Sequence, residues 1–176
     1  MGRDKAGVDF SGIPLWRHQL RTLQNTGAGE ILISGRKDAC YGASGYSIVE
    51  DTIKNAGPLS GVAALLSAAA HPLVFILAID MPYMTGPYIE RLRGECSGGC
   101  GAVPRKAGFF EALAAFFPKK AEALANEALR GEDHSMQHFV RECAARNLVK
   151  IVEVSMEEEP LFRSLDTPSD LATLPS

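Results

Sequence analysis

Charge of one sign, cysteines in metal-binding spacing and an unbroken apolar run are all scarce in this sequence, and each scarcity removes a class of protein. Lys and Arg number 18 against 21 Asp and Glu, a formal charge of −3. That balance argues against a nucleic-acid binder relying on a basic face, because such proteins cluster Lys and Arg to displace counterions. Of the cysteines Cys40, Cys96, Cys100 and Cys143, only Cys96 and Cys100 are close. A lone C-x3-C between serine and glycines is a weak zinc signal, and reduced thiols in a cytosolic protein are the simpler reading. The start Met1-Gly2-Arg3-Asp4-Lys5 is charged, with no apolar stretch behind it and hence no export signal. Ala6 stands where N-myristoylation wants Ser or Thr. The most apolar stretch, 62–79, is cut by His71-Pro72 into a helix-like and a strand-like piece, each too short to span a bilayer. These features lead us to expect a cytoplasmic protein with neither nucleic acid nor membrane as partner.

What is present is the material for one good core. With 176 residues, 46% of them hydrophobic, the chain is long enough for a single domain and too short for two ordinary ones. No internal repeat, low-complexity stretch or linker interrupts it. Helical and strand patterns alternate, the signature of a parallel sheet covered on both faces. Pro14 suits a first helical position, and Leu15, Trp16, Leu20 and Leu23 recur at helical spacing. Strands are expected at 30–34 and 47–50. Gly57-Pro58-Leu59-Ser60-Gly61 then turns into an Ala- and Leu-rich helix. The strand at 73–79 has no polar face and reads as central. A helix at 87–93 and a short strand at 102–103 follow. The segment 109–117 is ambiguous, its aromatic ends favouring strand and its alanines helix. Helices at 118–129 and 135–146, a strand at 149–154 and a last helix opened by Thr167-Pro168 complete the pattern.

In open α/β sheets ligands lie beyond the carboxyl ends of the strands, so the polar residues just after strands are the first site candidates. Here they are Ser34, Asp51 and Asp80. Asp80 follows the greasiest strand and is fixed by Met81-Pro82. One well-held carboxylate suffices for Mg²⁺, which takes the rest of its shell from substrate phosphates and water. The alternative is that Asp80 caps the next helix or stabilises a turn. The G-P-L-S-G turn can bring backbone N–H groups and a helix start to an anion or base, or be only a turn. Lys5, taken alone, reads as a solvated terminal lysine. His134 and His138 lie four apart with no third ligand nearby and read as exposed histidines. Glu157-Glu158-Glu159 reads as a solvated loop, and Trp16, Phe109, Phe110, Phe116 and Phe117 as core.

Together these motifs resemble a known family. M-G-R-D-K-A at 1–6 is similar to the tail of the nucleotidyltransferase signature L-A-G-G-x-S-x-R-M-G-x-D-K, and Ile13-Pro14-Leu15-Trp16 to that family's helix start. Val49-Glu50-Asp51, then G-P-L-S-G, then D-M-P-Y-M resemble, in order and spacing, the molybdenum cofactor guanylyltransferases. Ala102-Val103-Pro104-Arg105 and Asp166-Thr167-Pro168-Ser169-Asp170-Leu171 resemble its later motifs. The resemblance implies a three-layer α/β/α, mostly parallel Rossmann-like sheet of the nucleotide-diphospho-sugar transferase type. It implies transfer of GMP from GTP to the phosphate of molybdopterin, with pyrophosphate leaving. Lys5 would neutralise the triphosphate, Ser34 would sit near the base, and Asp51 would accept hydrogen bonds from guanine or ribose. Asp80 would hold Mg²⁺. Arg105 and Asp166 are the weaker candidates for molybdopterin; the family usually has Asn at the second position, and a carboxylate cannot donate as an amide does. Cofactor-delivery proteins and molybdoenzymes are the implied partners. A cytidylyltransferase or another NTP transferase, and a catalytically silent nucleotide-fold module, are the alternatives. The family's first strand, its glycine loop and the arginine before the methionine, about 15 residues in all, have no counterpart. The expectation is a single domain that is N-terminally incomplete, its true start upstream of Met1, with unpaired edges on the flanking strands and poor or no catalysis by the chain as written.

Overall fold

In a computed structural model, residues 5–51, 53 and 56–165 are described. A short 3-10 turn, Lys5–Gly7, leads into a hairpin of β1 (Asp9–Phe10) and β2 (Ile13–Pro14), whose turn needs the positive φ of Ser11 and Gly12. Helix α1 (Leu15–Gln24) follows, with Pro14 one residue outside it at the N-cap rather than as its first residue. Strands β3 (Leu32–Ser34) and β4 (Ser47–Val49) pair in parallel and stand apart as a two-stranded sheet. Gly57, at φ 71°, makes the left-handed step that lets Pro58 open α2 (Pro58–Ala68).

The larger sheet is built on β5 (Leu73–Leu77), β6 (Gly101–Lys106), β7 (Phe109–Phe110), β8 (Ala114–Pro118) and β9 (Val149–Glu153). Antiparallel β8 lies between β5 and β6, so those two run the same way, and β9 joins β6 in parallel. The ambiguous segment resolves into strand: β7 and β8 both pair with β6, separated by residues 111–113. Helices α3 (Gly86–Gly94), α4 (Glu122–Arg130) and α5 (Met136–Ala145) complete the described layers. Alternation along the strands sorts the core to two faces. Val103, Ala115 and Phe117 meet α2, α4 and α5, while Ala102, Ala114 and Phe116 meet α3 and Phe162. No helix among the described residues is long and apolar enough to cross a membrane. The helix expected from Thr167-Pro168 lies outside the described residues.

One expectation changes. The apolar strand that reads as central is an outer strand of its sheet: among the described residues β5 pairs only with β8, and β3 only with β4. Between β3 and β5 lies an apolar cleft roofed by α1 and α2. It comprises adjoining cavities of about 360 and 390 Å³, both lined by Leu23, Ile31, Leu32, Leu65 and Phe75. The strand residues facing it, such as Leu32, Ile33, Phe75 and Leu77, are only half-buried.

Candidate active site

Strand ends and helix starts gather the candidate residues into two groups at the carboxyl side of the sheets. The first is an ion pair: Lys5 Nζ donates to Asp80 Oδ2 at 3.0 Å, with the side chains 35% and 25% exposed. That is enough burial to hold a geometry and enough exposure to receive a ligand. Asp80 is not a helix cap; Thr85 caps α3 by accepting from the Tyr88 N–H.

The turn that carries Asp80 is pinned from α1. Gln19, 5% exposed, donates from Nε2 to the carbonyls of Ala78 at 3.0 Å and Met81 at 2.9 Å, on either side of the aspartate. His18 Nε2 donates to the Pro82 carbonyl at 2.8 Å, and the Asp80 carbonyl accepts from the Leu165 N–H at 2.9 Å. Sequence reasoning missed Gln19. The available signal was a glutamine on the apolar stripe of α1, four residues from Leu15 and three from Trp16.

The second group forms where β3 and β4 end. Ser34 Oγ donates to Asp51 Oδ1 at 3.3 Å, and Gly61 of α2 packs directly on the pair. A Cβ on Gly61 would stand 2.6 Å from Ser34 Oγ and 3.3 Å from Asp51 Oδ1, so glycine is what lets the helix approach. Behind it, fully buried Ser60 accepts the Ile53 N–H at 3.1 Å, tying α2 to the segment after Asp51. Ser34, Asp51 and Gly61 line one cavity of about 390 Å³, and so do Ala6 and Ile79, the chain neighbours of Lys5 and Asp80.

The remaining candidates are placed differently. Arg105, at the end of β6, is exposed and forms a charge-assisted pair with Glu153 of β9, donating from Nε at 2.7 Å and also from Nη2. That pairing raises its guanidinium further above its ordinary range. Asp166 lies outside the described residues. His134 donates to the Gly131 carbonyl and His138 lies 4.0 Å from Asp133, and among the described residues no three His, Cys, Asp or Glu side chains group to hold a metal. All the cysteines are free thiols, and burial pushes Cys96 up to about 11 and Cys143 up to about 12. Of the aromatics expected in the core, Phe116 and Phe117 are buried and Phe110 half-buried, but Phe109 is 69% exposed.

This arrangement is suited to a nucleoside triphosphate. A lysine and a carboxylate at one end of a cavity can meet phosphates and a cation, while the serine–aspartate pair at the other offers directional groups to a base or sugar. Comparison with known proteins agrees. The family model described as the MobA-like NTP transferase domain matches residues 1–148. A probable molybdenum cofactor guanylyltransferase of Opitutus terrae is 36% identical over 173 residues, covering 97% of this chain and 86% of that protein. A molybdenum cofactor guanylyltransferase of Pseudomonas putida is 32% identical over 149 residues, covering 84% and 78%. Among solved structures, molybdopterin-guanine dinucleotide biosynthesis protein A from Archaeoglobus fulgidus superposes with a TM-score of 0.75 at 24% identity, covering 97% of this chain and 88% of that one. The 2-C-methyl-D-erythritol 4-phosphate cytidylyltransferase of Thermus thermophilus gives 0.70 at 21% identity, covering 96% and 90%. At these identities the two structures speak for the fold alone, a mixed α/β nucleotidyltransferase architecture.

Proposed function

The chain belongs to the MobA-like NTP transferase family, and we propose that it transfers GMP from GTP to the terminal phosphate of molybdopterin, releasing pyrophosphate. The observation that carries the reading is the Lys5–Asp80 pair at the carboxyl side of β5, whose chain neighbours Ala6 and Ile79 line the same cavity as Ser34, Asp51 and Gly61. The names of the relatives support GTP over CTP. The setting is the cytoplasm, in keeping with free thiols.

In this reading the triphosphate lies toward Lys5 and the guanosine toward Ser34 and Asp51. Lys5 is a flexible point charge that moves from Asp80 onto the phosphates. Asp51 accepts from guanine or ribose, and Ser34, whose hydroxyl already bonds Asp51, holds that carboxylate in register. Asp80 fits Mg²⁺: its carboxylate is partly exposed, its turn is fixed by Gln19, and this ion takes one or two carboxylates with substrate phosphates. When bound, the ion neutralises charge developing on the phosphates. A molybdopterin phosphate oxygen forms a bond to the α-phosphorus of GTP, and the bond to the β-phosphate oxygen breaks. Positioning and charge neutralisation carry the step, with no covalent enzyme intermediate. Arg105 and Asp166 are assigned to the molybdopterin side. Delivery proteins and molybdoenzymes stand before and after the reaction as partners.

We take the chain as one domain, with an open apolar cleft between β3 and β5. Asp80→Asn tests the site. The Lys5–Asp80 pair is partly exposed, so its loss changes stability by about 1 kcal/mol at most. Thermal stabilisation by GTP with Mg²⁺ is expected to fall sharply, and turnover by about a hundredfold or more. Undiminished stabilisation in the variant, or stronger stabilisation of the wild type by CTP, refutes the assignment.

A further inference from the structure

The hairpin joining β6 to β7 presents a feature that folding does not explain. Its turn residues Ala107 and Gly108 take φ 48° and 85°, the tight two-residue type that fixes register, and Lys106 stands opposite Phe109. The hairpin is held from α5, where Gln137 donates to the Phe110 carbonyl at 2.8 Å and accepts the Phe110 N–H at 3.1 Å. Phe110 packs into the core on the α5 face. Alternation therefore turns Phe109 to the opposite face, the one that carries α3 and the chain following Asp80 through Met81 and Met84. The result is a phenylalanine on a held backbone, its side chain 69% exposed, directly across from a lysine on the same face.

Register places this pair beside the candidate active site. Phe75 of β5 and Ala102 of β6 both align with Phe116, so they share one level of the sheet. Lys106 lies four residues beyond that level, a rise of roughly 13 Å by strand geometry, whereas β5 ends at Leu77, two residues beyond it, and Asp80 lies in the turn that follows. Sideways, β6 is two ladder spacings from β5, about 10 Å, and β7 lies between because it continues the line of β8. An exposed aromatic and a lysine thus stand beyond the carboxyl end of β5, the end from which the Asp80 turn departs, on the side away from β3 and β4.

We infer that Phe109 and Lys106 form the platform for the ring system of the acceptor, Phe109 stacking on a flat heteroaromatic ring while Lys106 faces its polar edge. The inference rests on the reading of the acceptor as molybdopterin, a pterin bearing a phosphate. Its phosphate has to reach the α-phosphorus near Asp80, and its ring then extends along the sheet edge toward Phe109. The guanine is drawn to the opposite end of the cavity by Ser34 and Asp51, so the ring meeting Phe109 belongs to the acceptor. A stacked ring contact suits an aromatic side chain on a held backbone, since its two side-chain torsions leave little conformational freedom to be lost on binding.

The test titrates the 176-residue protein with molybdopterin, followed by pterin fluorescence, and separately with GTP, followed by thermal shift. Phe109→Ala is expected to raise the molybdopterin Kd roughly five- to a hundredfold, the range seen when an aromatic is removed from under a stacked base. Phe109→Trp is expected to restore wild-type affinity or better, and Lys106→Ala to weaken binding severalfold. None of the three is expected to move the GTP response, because none lies on the nucleotide side. Unchanged molybdopterin affinity in Phe109→Ala, or failure of Phe109→Trp to restore it, overturns the platform while leaving the proposed reaction standing. A wild-type protein that responds to GTP and binds no molybdopterin overturns the acceptor assignment itself, and the platform with it.

Discussion

Substituting Gly61→Ala separates the helix from the site it serves. Within α2 the alanine gains about 0.8–1 kcal/mol of helix propensity. Against this, the new Cβ would stand 2.6 Å from Ser34 Oγ. The hydroxyl is the end of a short rotatable side chain, so it turns aside and its bond to Asp51 is lost, at a net cost of about 0.5–1.5 kcal/mol. The 3.3 Å approach to Asp51 Oδ1 requires the carboxylate to give by a few tenths of an ångström. Gain and loss nearly cancel, so Tm is expected to move by no more than roughly 2–4 °C, the response to about 1 kcal/mol in a chain of this size. GTP affinity does not share the propensity gain. Losing the orientation of Ser34 and Asp51 is expected to raise its Kd roughly two- to tenfold. Titrating GTP into wild type, Gly61→Ala, Ser34→Ala and the double variant measures the coupling. Once Ser34 is alanine the closest conflict is gone and only the approach to Asp51 remains, so adding Gly61→Ala should cost less than it does in the wild type. A fully additive cycle, or a Gly61→Ala protein with wild-type GTP affinity, would mean that the glycine does not serve the nucleotide.

Further outcomes follow from the same geometry. Gln19→Leu strips the Ala78 and Met81 carbonyls of a buried donor; it is expected to cost about 1–3 kcal/mol, read as a Tm fall of roughly 2–10 °C, and to weaken the Mg²⁺-dependent part of GTP stabilisation. A Tm fall with the Mg²⁺ dependence intact would leave Gln19 a purely structural staple. Burial holds the Glu111 carboxyl above its ordinary range, with Lys106 opposing. The favourable, protonated state is therefore complete below the ordinary carboxylate pKa and is lost as pH rises through the raised one. Glu111→Gln should accordingly be more stable than wild type at neutral pH, with the difference vanishing below roughly pH 4, and a Tm series against pH that shows a constant or inverted gap refutes the burial argument.

The sequence made the elements legible where local chemistry and tertiary packing agree. The apolar spacing in α1, the Gly57-Pro58 start of α2 and the uninterrupted run of β5 each name their element because periodicity and turn chemistry point one way. The 109–117 stretch stayed ambiguous because its alanines fill a strand buried on both faces. Small residues there fit between two helical layers, and tertiary context overrides their helical propensity. Asp80, Asp51 and Ser34 were legible as positions after strands. Their partners were not, because the pairings Lys5–Asp80 and Ser34–Asp51 join residues 75 and 17 apart in sequence. The role of Gly61 was hidden for a similar reason: a glycine in a G-P-L-S-G turn looks like turn chemistry, and only the approach of Ser34 shows that its missing side chain matters. Phe109 was hidden because burial is the usual fate of phenylalanine.

The division of the site between two sheets carries one more consequence. Ser34 and Asp51 ride on β3 and β4, whereas Asp80 follows β5, and no strand pairing among the described residues joins the two frames. What relates them is helix packing across the cleft: Leu23 from α1 and Leu65 from α2 each line both of its cavities. Side-chain packing tolerates small shifts that a hydrogen-bonded ladder resists, since the ladder repeats directional bonds at every step while apolar contacts are non-directional. The distance between the proposed base-side and phosphate-side groups is therefore set less firmly than the geometry within either group. A triphosphate that engages both must draw them into register, and because positioning carries most of this chemistry, small errors there cost rate more than affinity.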